Sequence, residues 1–304
     1  MRSSLLACVL IAAVSACLSA CATAGAGSSD SPADQTIQIP INDPSGHAWL
    51  MQGRICRPDG VKQPQLVIIN HGSPPSAADR PTMALAHCNN EAAQWFLRRH
   101  YAVVFALRLG YGATGGPWTE GEARCDDADY FAAGLETARQ IDAIVNYAVA
   151  LPNVDPRDVI VIGQSAGGWG TLAYDSMPHP KVGAFVNMAG GRGGHYRQIA
   201  NNNCHSERLV DAAARFGKTA TTTMLWIYTG NDSYFAPSIA RSIDDAFQLA
   251  GGRVLLYRPA SYGKDGHKLF FGDNGSAIWG PLVASYLAQM KPAFAIPEAA
   301  NHNK

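Results

Sequence analysis

Gly163-Gln164-Ser165-Ala166-Gly167 is the stretch whose residue types and spacing point most directly to chemistry. A serine hydroxyl is a weak nucleophile until a neighbouring base takes its proton. A very tight turn between a strand and a helix would lift that hydroxyl above a sheet, where a base can reach it. The flanks fit such a turn. Val159-Ile160-Val161-Ile162 is a β-branched run that reads as a buried strand, and a helix-compatible segment follows Gly167. Glycines two residues either side of the serine are needed because a Cβ there would strike the adjoining strand or helix. The bland alternative is a Gly/Ser turn without chemistry. The backbone N–H of Ala166, at the start of the expected helix, is one donor that could meet negative charge developing on a substrate oxygen.

The rest of the chain supplies a frame for that turn. Thr36 to Ile41 and Ala48 to Arg57 flank Asp43-Pro44-Ser45-Gly46 and predict a hairpin. Strands are expected at Gln65 to Asn70, Tyr101 to Leu107, Val182 to Met188, Thr223 to Tyr228 and Val254 to Tyr257. Helical periodicity covers Met83 to Arg99, Asp127 to Leu151, Pro237 to Ala250 and Ser276 to Met290. Gly194 to Phe216 is weakly periodic and polar, and reads as an excursion or small lid. Strand and helix alternate, which predicts a mostly parallel twisted sheet of about eight strands with helices on both faces. Active groups then belong at the C-terminal strand ends, where the Gly-rich loops fall. No repeat of solenoid length occurs.

Taken together, Asn70-His71-Gly72-Ser73, Asp155 to Gly168, Tyr228-Thr229-Gly230-Asn231-Asp232 and Gly266-His267 resemble the α/β-hydrolases. The nearest branch resembles the dienelactone-hydrolase-like and prolyl-oligopeptidase-like serine carboxylesterases, over roughly residues 36 to 290. That resemblance implies an α/β-hydrolase fold and a triad in the chain order serine, acid, histidine. Ser165 would be the nucleophile, Asp232 the acid and His267 the base. Asp265 is a rival acid, but two residues from the histidine it is poorly placed to reach the ring. The resemblance puts the second oxyanion donor in the loop His71-Gly72-Ser73. Pro74 and Pro75 leave Ser73 as its last N–H, so the Ser73 and Ala166 N–H groups are the expected pair. His71 would serve that loop.

Tyr111, Trp118 and Tyr234, with Tyr130, lie near the expected site and could contact substrate, although aromatics there are as often core. Arg108 and Arg192 could take a substrate carboxylate, and His195 or His205 could line the pocket. A dienelactone hydrolase of this kind uses cysteine where this chain has Ser165, which favours ordinary ester chemistry. The expected function is therefore ester cleavage through an acyl-enzyme, requiring no metal or organic cofactor. Alternatives are a peptidase or amidase on short peptides, acyl transfer to an alcohol, or a non-catalytic binding lipoprotein. A chain of 304 residues leaves no room for the propeller of a prolyl-oligopeptidase-type enzyme.

Residues 1–20 read as a signal peptide, with Arg2 before an apolar Leu5 to Val14 segment too short to span a bilayer. Leu18-Ser19-Ala20-Cys21 resembles a bacterial lipobox, making Cys21 the lipidated mature N-terminus. Val14 to Cys17 is a second match, and cleavage after Ala24 without a lipid is the alternative. By resemblance to sorted lipoproteins, Ala22 in place of aspartate would favour the periplasmic face of the outer membrane; a periplasmic or secreted protein is the alternative. Residues 21–35 read as a tether and 36–304 as one domain. In an oxidising compartment Cys56, Cys88, Cys125 and Cys204 allow three pairings, and the expected fold favours Cys56–Cys88 with Cys125–Cys204. Their spacing is wrong for a metal site. Balanced charge, 24 Lys+Arg against 24 Asp+Glu, gives no sign of a nucleic-acid partner or of electrostatic membrane binding, and the partner implied by the hydrolase resemblance is a small-molecule ester.

Overall fold

Runs such as Val159 to Ile162, apolar on both sides of the backbone, need cover on both faces of a sheet. The computed structural model provides it. It describes residues 33–290; the expected signal peptide, the Cys21 anchor, most of the tether and the C-terminal tail lie outside the described residues. The strands are β1 (Asp34–Asn42), β2 (Ala48–Cys56), β3 (Gln65–Asn70), β4 (Ala102–Ala106), β5 (Asp155–Gln164), β6 (Val182–Met188), β7 (Thr223–Ile227) and β8 (Arg253–Tyr257). They form one sheet in the order β1-β2-β4-β3-β5-β6-β7-β8. β1 and β2 are the expected antiparallel hairpin and β2 runs antiparallel to β4, while β3 to β8 are parallel. The sequence-based fold class is borne out, with β1 starting at Asp34 inside the stretch assigned to the tether.

Helices α1 (Glu91–Leu97), α2 (Tyr130–Ala148), α3 (Ala166–Asp175), α4 (Ser206–Gly217), α5 (Pro237–Leu249) and α6 (Ser276–Met290) divide between the two faces. Alternate strand residues point to separate cores. Leu66, Ile68, Val159 and Val161 meet Trp169, Phe216 and Phe247 beneath α2 to α5. Val67, Ile69, Ile160 and Ile162 meet Trp95, Phe96 and Trp279 beneath α1 and α6. All are buried, so β5 is fixed from both sides before its chain enters the turn at Ser165.

Three expected elements differ. The helix placed at Met83 to Arg99 is only α1, preceded by a 3₁₀ turn at Ala77–Thr82. Cys88 is bonded to Cys56, and Asn90 caps the new N-terminus by accepting from the Ala93 N–H at 2.9 Å. A helix therefore cannot begin before Asn90. The long helix starts three residues late, at Tyr130, because Asp129 accepts from the Ala132 N–H at 2.8 Å. The stretch 194–216 is half excursion and half core: a short 3₁₀ turn at Tyr196–Gln198 gives way to α4, whose Leu209, Ala213 and Phe216 are buried.

The second disulfide joins Cys125, in a 3₁₀ turn ahead of α2, to Cys204 ahead of α4. The first ties β2 to the approach of α1 across a sequence separation of 32. On the chain-entropy account a loop of that length contributes about 3–4 kcal/mol. A Cys56→Ser/Cys88→Ser double variant should lose stability on that scale in urea denaturation; a variant as stable as the parent would refute the contribution.

Candidate active site

β5 ends at Gln164, and the chain reverses into α3 through Ser165, whose backbone sits at φ 56°, ψ −120°. A non-glycine residue there carries strain of about 1–3 kcal/mol, tolerated only where the surroundings fix it. They do. The Ser165 N–H donates to the Met188 carbonyl at 3.0 Å, and the Ser165 carbonyl accepts from Trp169 at 2.9 Å and Gly191 at 3.2 Å. A Cβ on Gly163 would stand 2.1 Å from the Gly167 oxygen, and one on Gly167 would stand 2.5 Å from the Asn70 oxygen. Only glycine fits either place.

Beyond β7 the chain enters Thr229-Gly230-Asn231-Asp232. Asp232, 2% exposed, accepts on Oδ1 from the Tyr234 and Phe235 N–H groups at 2.8 and 2.9 Å. Its carboxylate faces His267 Nδ1, 3.0 Å from Oδ2 and 3.1 Å from Oδ1. His267 sits in a 3₁₀ turn, Gly266–Lys268, and is itself only 7% exposed. With Nδ1–H directed at Asp232, Nε2 is the nitrogen left to accept a proton. The Tyr234 ring stacks on the imidazole with centroids 4.1 Å apart. Gln164, the residue before the serine, donates from Nε2 to the His267 carbonyl at 3.1 Å and ties the histidine loop to the turn. Asp265, the rival acid, accepts from the backbone N–H of His267 at 3.1 Å instead.

Ser73, Ser165 and Ala166 line one pocket together with Arg80, Trp118 and Tyr234. The Ala166 N–H is in the first turn of α3, where no intrahelical acceptor exists. His71 fixes the loop before Ser73: its Nδ1–H donates to the Gly72 carbonyl at 2.7 Å, and its Nε2 accepts from the Arg108 N–H at 3.2 Å. Burial, with the Arg108 charge, pushes the His71 pKa down to about 3, so the ring stays neutral. It is a structural histidine.

The structure separates the expected substrate contacts. Trp118 and Tyr234 reach the pocket. Tyr111 does not: it is fully buried, donates its hydroxyl to Glu120 at 2.6 Å, and accepts from the Trp118 indole N–H at 3.0 Å. It props Trp118 rather than touching substrate. Tyr130 is likewise buried, with its hydroxyl on the Cys204 carbonyl. Arg108 is consumed by Glu120, through Nε at 2.6 Å and an Nη at 3.1 Å. Arg192 also pairs with Glu120, at 2.9 Å, and still lines the pocket. His195 lies one ring away, stacked on Tyr234 at 3.9 Å, and His205 is paired with Glu207.

Glu120 and Arg80 escaped the sequence reading. Arg80 lies over the Trp118 ring, 3.6 Å from its centroid. Glu120 is isolated in a loop with no periodicity around it. Burial pushes its carboxyl up, but Arg108 and Arg192 more than offset this and hold it well below the ordinary value. A carboxyl depressed in the fold stabilises above the unfolded value of 4.5, and that contribution is lost as pH falls through the folded pKa. Glu120→Gln should therefore cost about 3–5 kcal/mol near neutral pH, because two buried guanidiniums lose their counter-charge. Denaturation at pH 7 and pH 3 checks it; the gap to the parent should narrow at the lower pH, and equal stabilities at pH 7 would refute it.

No protein-family model matches the sequence, and no curated protein matches it. Among solved structures the chain is similar to Est1E from Butyrivibrio proteoclasticus, with a TM-score of 0.52 and 15% identity over 84% of this chain and 98% of that one. A putative dienelactone hydrolase from Klebsiella pneumoniae superposes at TM-score 0.55 and 14% identity, over 85% of this chain and all of its own. An acylaminoacyl peptidase from Pyrococcus horikoshii gives TM-score 0.57 and 11% identity, covering 84% of this chain but 42% of that one. The fold is that of the α/β-hydrolases.

Proposed function

We propose that this chain is a serine hydrolase cleaving small carboxylic esters through an acyl-enzyme on Ser165, with His267 as base and Asp232 as its orienting acid. The observation that carries the reading is the buried Asp232–His267 hydrogen bond at 3.0 Å, one side-chain bond from the serine's own turn. His267 Nε2 takes the Ser165 proton as the oxygen attacks the ester carbonyl. Asp232 steadies the imidazolium that results. The Ser73 and Ala166 N–H groups meet the oxyanion. Collapse expels the alcohol with the proton from Nε2, and water repeats the sequence to release the acid. Water is the only co-reactant.

The pocket at Ser165 sets Trp118, Tyr234 and Pro74 beside Arg80, Glu122 and Arg192, which suits a compact acyl group with both apolar and polar parts. Amide cleavage would use the same atoms. A panel of p-nitrophenyl esters and p-nitroanilides of matched acyl groups separates the two, and faster anilide turnover would replace the esterase reading. Stoichiometric labelling by a fluorophosphonate at Ser165 is expected, and Ser165→Ala should abolish both labelling and turnover. Asp232→Asn should lower kcat by roughly 10⁴-fold, since the ring then loses its tautomer and its counter-charge. Unlabelled, well-folded parent protein would overturn the hydrolase.

The reading includes export. Two disulfides suit an oxidising compartment, and among the described residues no helix is long and apolar enough to cross a membrane. Cys21 is then the point of attachment to the outer membrane. Cys21→Ser in the full-length chain should move the protein from the membrane to the soluble fraction; unchanged partitioning would remove the anchor from the reading.

A further inference from the structure

Asp265 is an acidic residue beside the base that the mechanism does not use. Its carboxylate bridges two loops. Oδ1 accepts from the Ser233 N–H at 3.1 Å and from the His267 N–H at 3.1 Å, and Oδ2 accepts from the Ser233 hydroxyl at 2.9 Å. Ser233 lies beside Asp232, so one side chain fixes the residue next to the acid and the backbone of the base. The Ser233 hydroxyl proton is committed to Asp265, so its oxygen accepts from His195 Nε2–H at 3.1 Å, and His195 stacks on Tyr234. Tyr234 is thus held between two imidazoles, with His267 at 4.1 Å on its other face. Asn231 ties the same loop at two places: its side chain bonds Tyr262 and Gly263, and its carbonyl accepts from the Gly266 N–H at 3.1 Å, whereas Asp265 takes the N–H of His267 itself.

We propose that Asp265 is a positioning residue for this site, holding the His267 loop against the Asp232 loop and placing a second negative charge beside the imidazole. The proposal rests on the hydrolase reading. Burial pushes the Asp265 carboxyl up, but the bonds from His267 and Ser233 outweigh it and keep it below the ordinary carboxylate range. It is therefore ionised wherever a neutral histidine works as base. The titratable groups around the imidazole are Asp232 and Tyr234 from the loop after β7, Asp265 from its own loop, and His195 behind Tyr234. Burial first, and then the Asp265 charge, push the Tyr234 hydroxyl up, so the field of Asp265 reaches the ring that covers His267. Lys264 and Lys268, on the same loop, are exposed to solvent, which screens them.

Two variants separate placement from charge. In Asp265→Asn the amide oxygen still accepts from both backbone N–H groups, and its NH₂ donates to Ser233, whose hydroxyl turns to His195. Asp265→Ala loses all of these bonds. For the alanine variant, kcat per folded molecule should fall by about 10- to 100-fold with KM within twofold. Fluorophosphonate labelling of Ser165 should slow in step. The asparagine variant should recover most of kcat. Its kcat/KM profile should keep its shape with the acid limb displaced to lower pH, because the Asp265 charge is gone. Parental kcat and labelling rate in the alanine variant would overturn the positioning role, as would losses matching only the unfolded fraction. An acid limb superimposable on the parent's in the asparagine variant would overturn the charge. Failure of the parent itself to label at Ser165 would instead overturn the hydrolase, and this proposal with it.

Discussion

The backbone of Ser165 is held in a conformation that a side chain pays to adopt, and most of the surrounding structure can be traced to keeping it there. Strain of that kind persists only when the neighbours over-determine the position. β5 is anchored on two faces by separate cores, so the strand cannot retreat. The Met188 carbonyl on β6 and the Gly191 N–H just beyond it engage the turn directly. Gly163 and Gly167 let the strand, α3 and the Asn70 carbonyl approach to distances that exclude any Cβ. The turn is therefore a property of three strands and a helix rather than of five residues.

The same parallel arrangement brings the other groups to it. β3, β5 and β7 all end on one edge of the sheet, and the loops that follow carry Ser73, Ser165 and Asp232. None of these residues is near another in sequence. Cross-loop bonds then refine what topology places coarsely: Gln164 to His267, Asp265 to Ser233, His71 to Arg108. The first two join loops that carry candidate catalytic residues, and the third braces the loop before Ser73 against the loop after β4.

How much of this could be read from the chain follows from where each signal is stored. The strand–turn–helix at Ser165 is local: β-branched run, glycines and helix lie within a dozen residues, and periodicity reveals them. Asp232 and His267 were readable because their loops follow recognisable strands in the expected chain order. The failures were nonlocal. Met83 to Arg99 has helical apolar spacing, but Cys88 is held by Cys56 and Asn90 caps what remains, so tertiary bonds override propensity. Tyr111 looked like a pocket aromatic because a loop position carries no mark of burial. Glu120 gave no signal, since its importance comes from Arg108 and Arg192, twelve and many more residues away on different loops. α4 was hidden for a simpler reason: the polar excursion before it diluted its own strong apolar face.

Charge is distributed around the site in a way that the reaction would use. Asp232 and Asp265 lie with His267, whereas Arg192 and Arg80 share the pocket with Ser165 and outnumber its one carboxylate, Glu122. Glu120, buried 2.9 Å from Arg192 and shared with Arg108, and Glu122, 3.7 Å from Arg192, offset part of that charge. Arg192 and Asp232 are buried, where charge is weakly screened, while Arg80 and Glu122 are half-buried. On the proposed mechanism, proton transfer from Ser165 to His267 would create positive charge on the imidazole and negative charge on the substrate oxygen. The carboxylates would stabilise the first and the arginine side of the pocket the second. Because His71 is kept neutral at the neck of the Ser73 loop, it adds no competing charge there. The proposed displacement of charge would then run from the arginine side of the pocket toward the carboxylates, a direction the fold sets in advance.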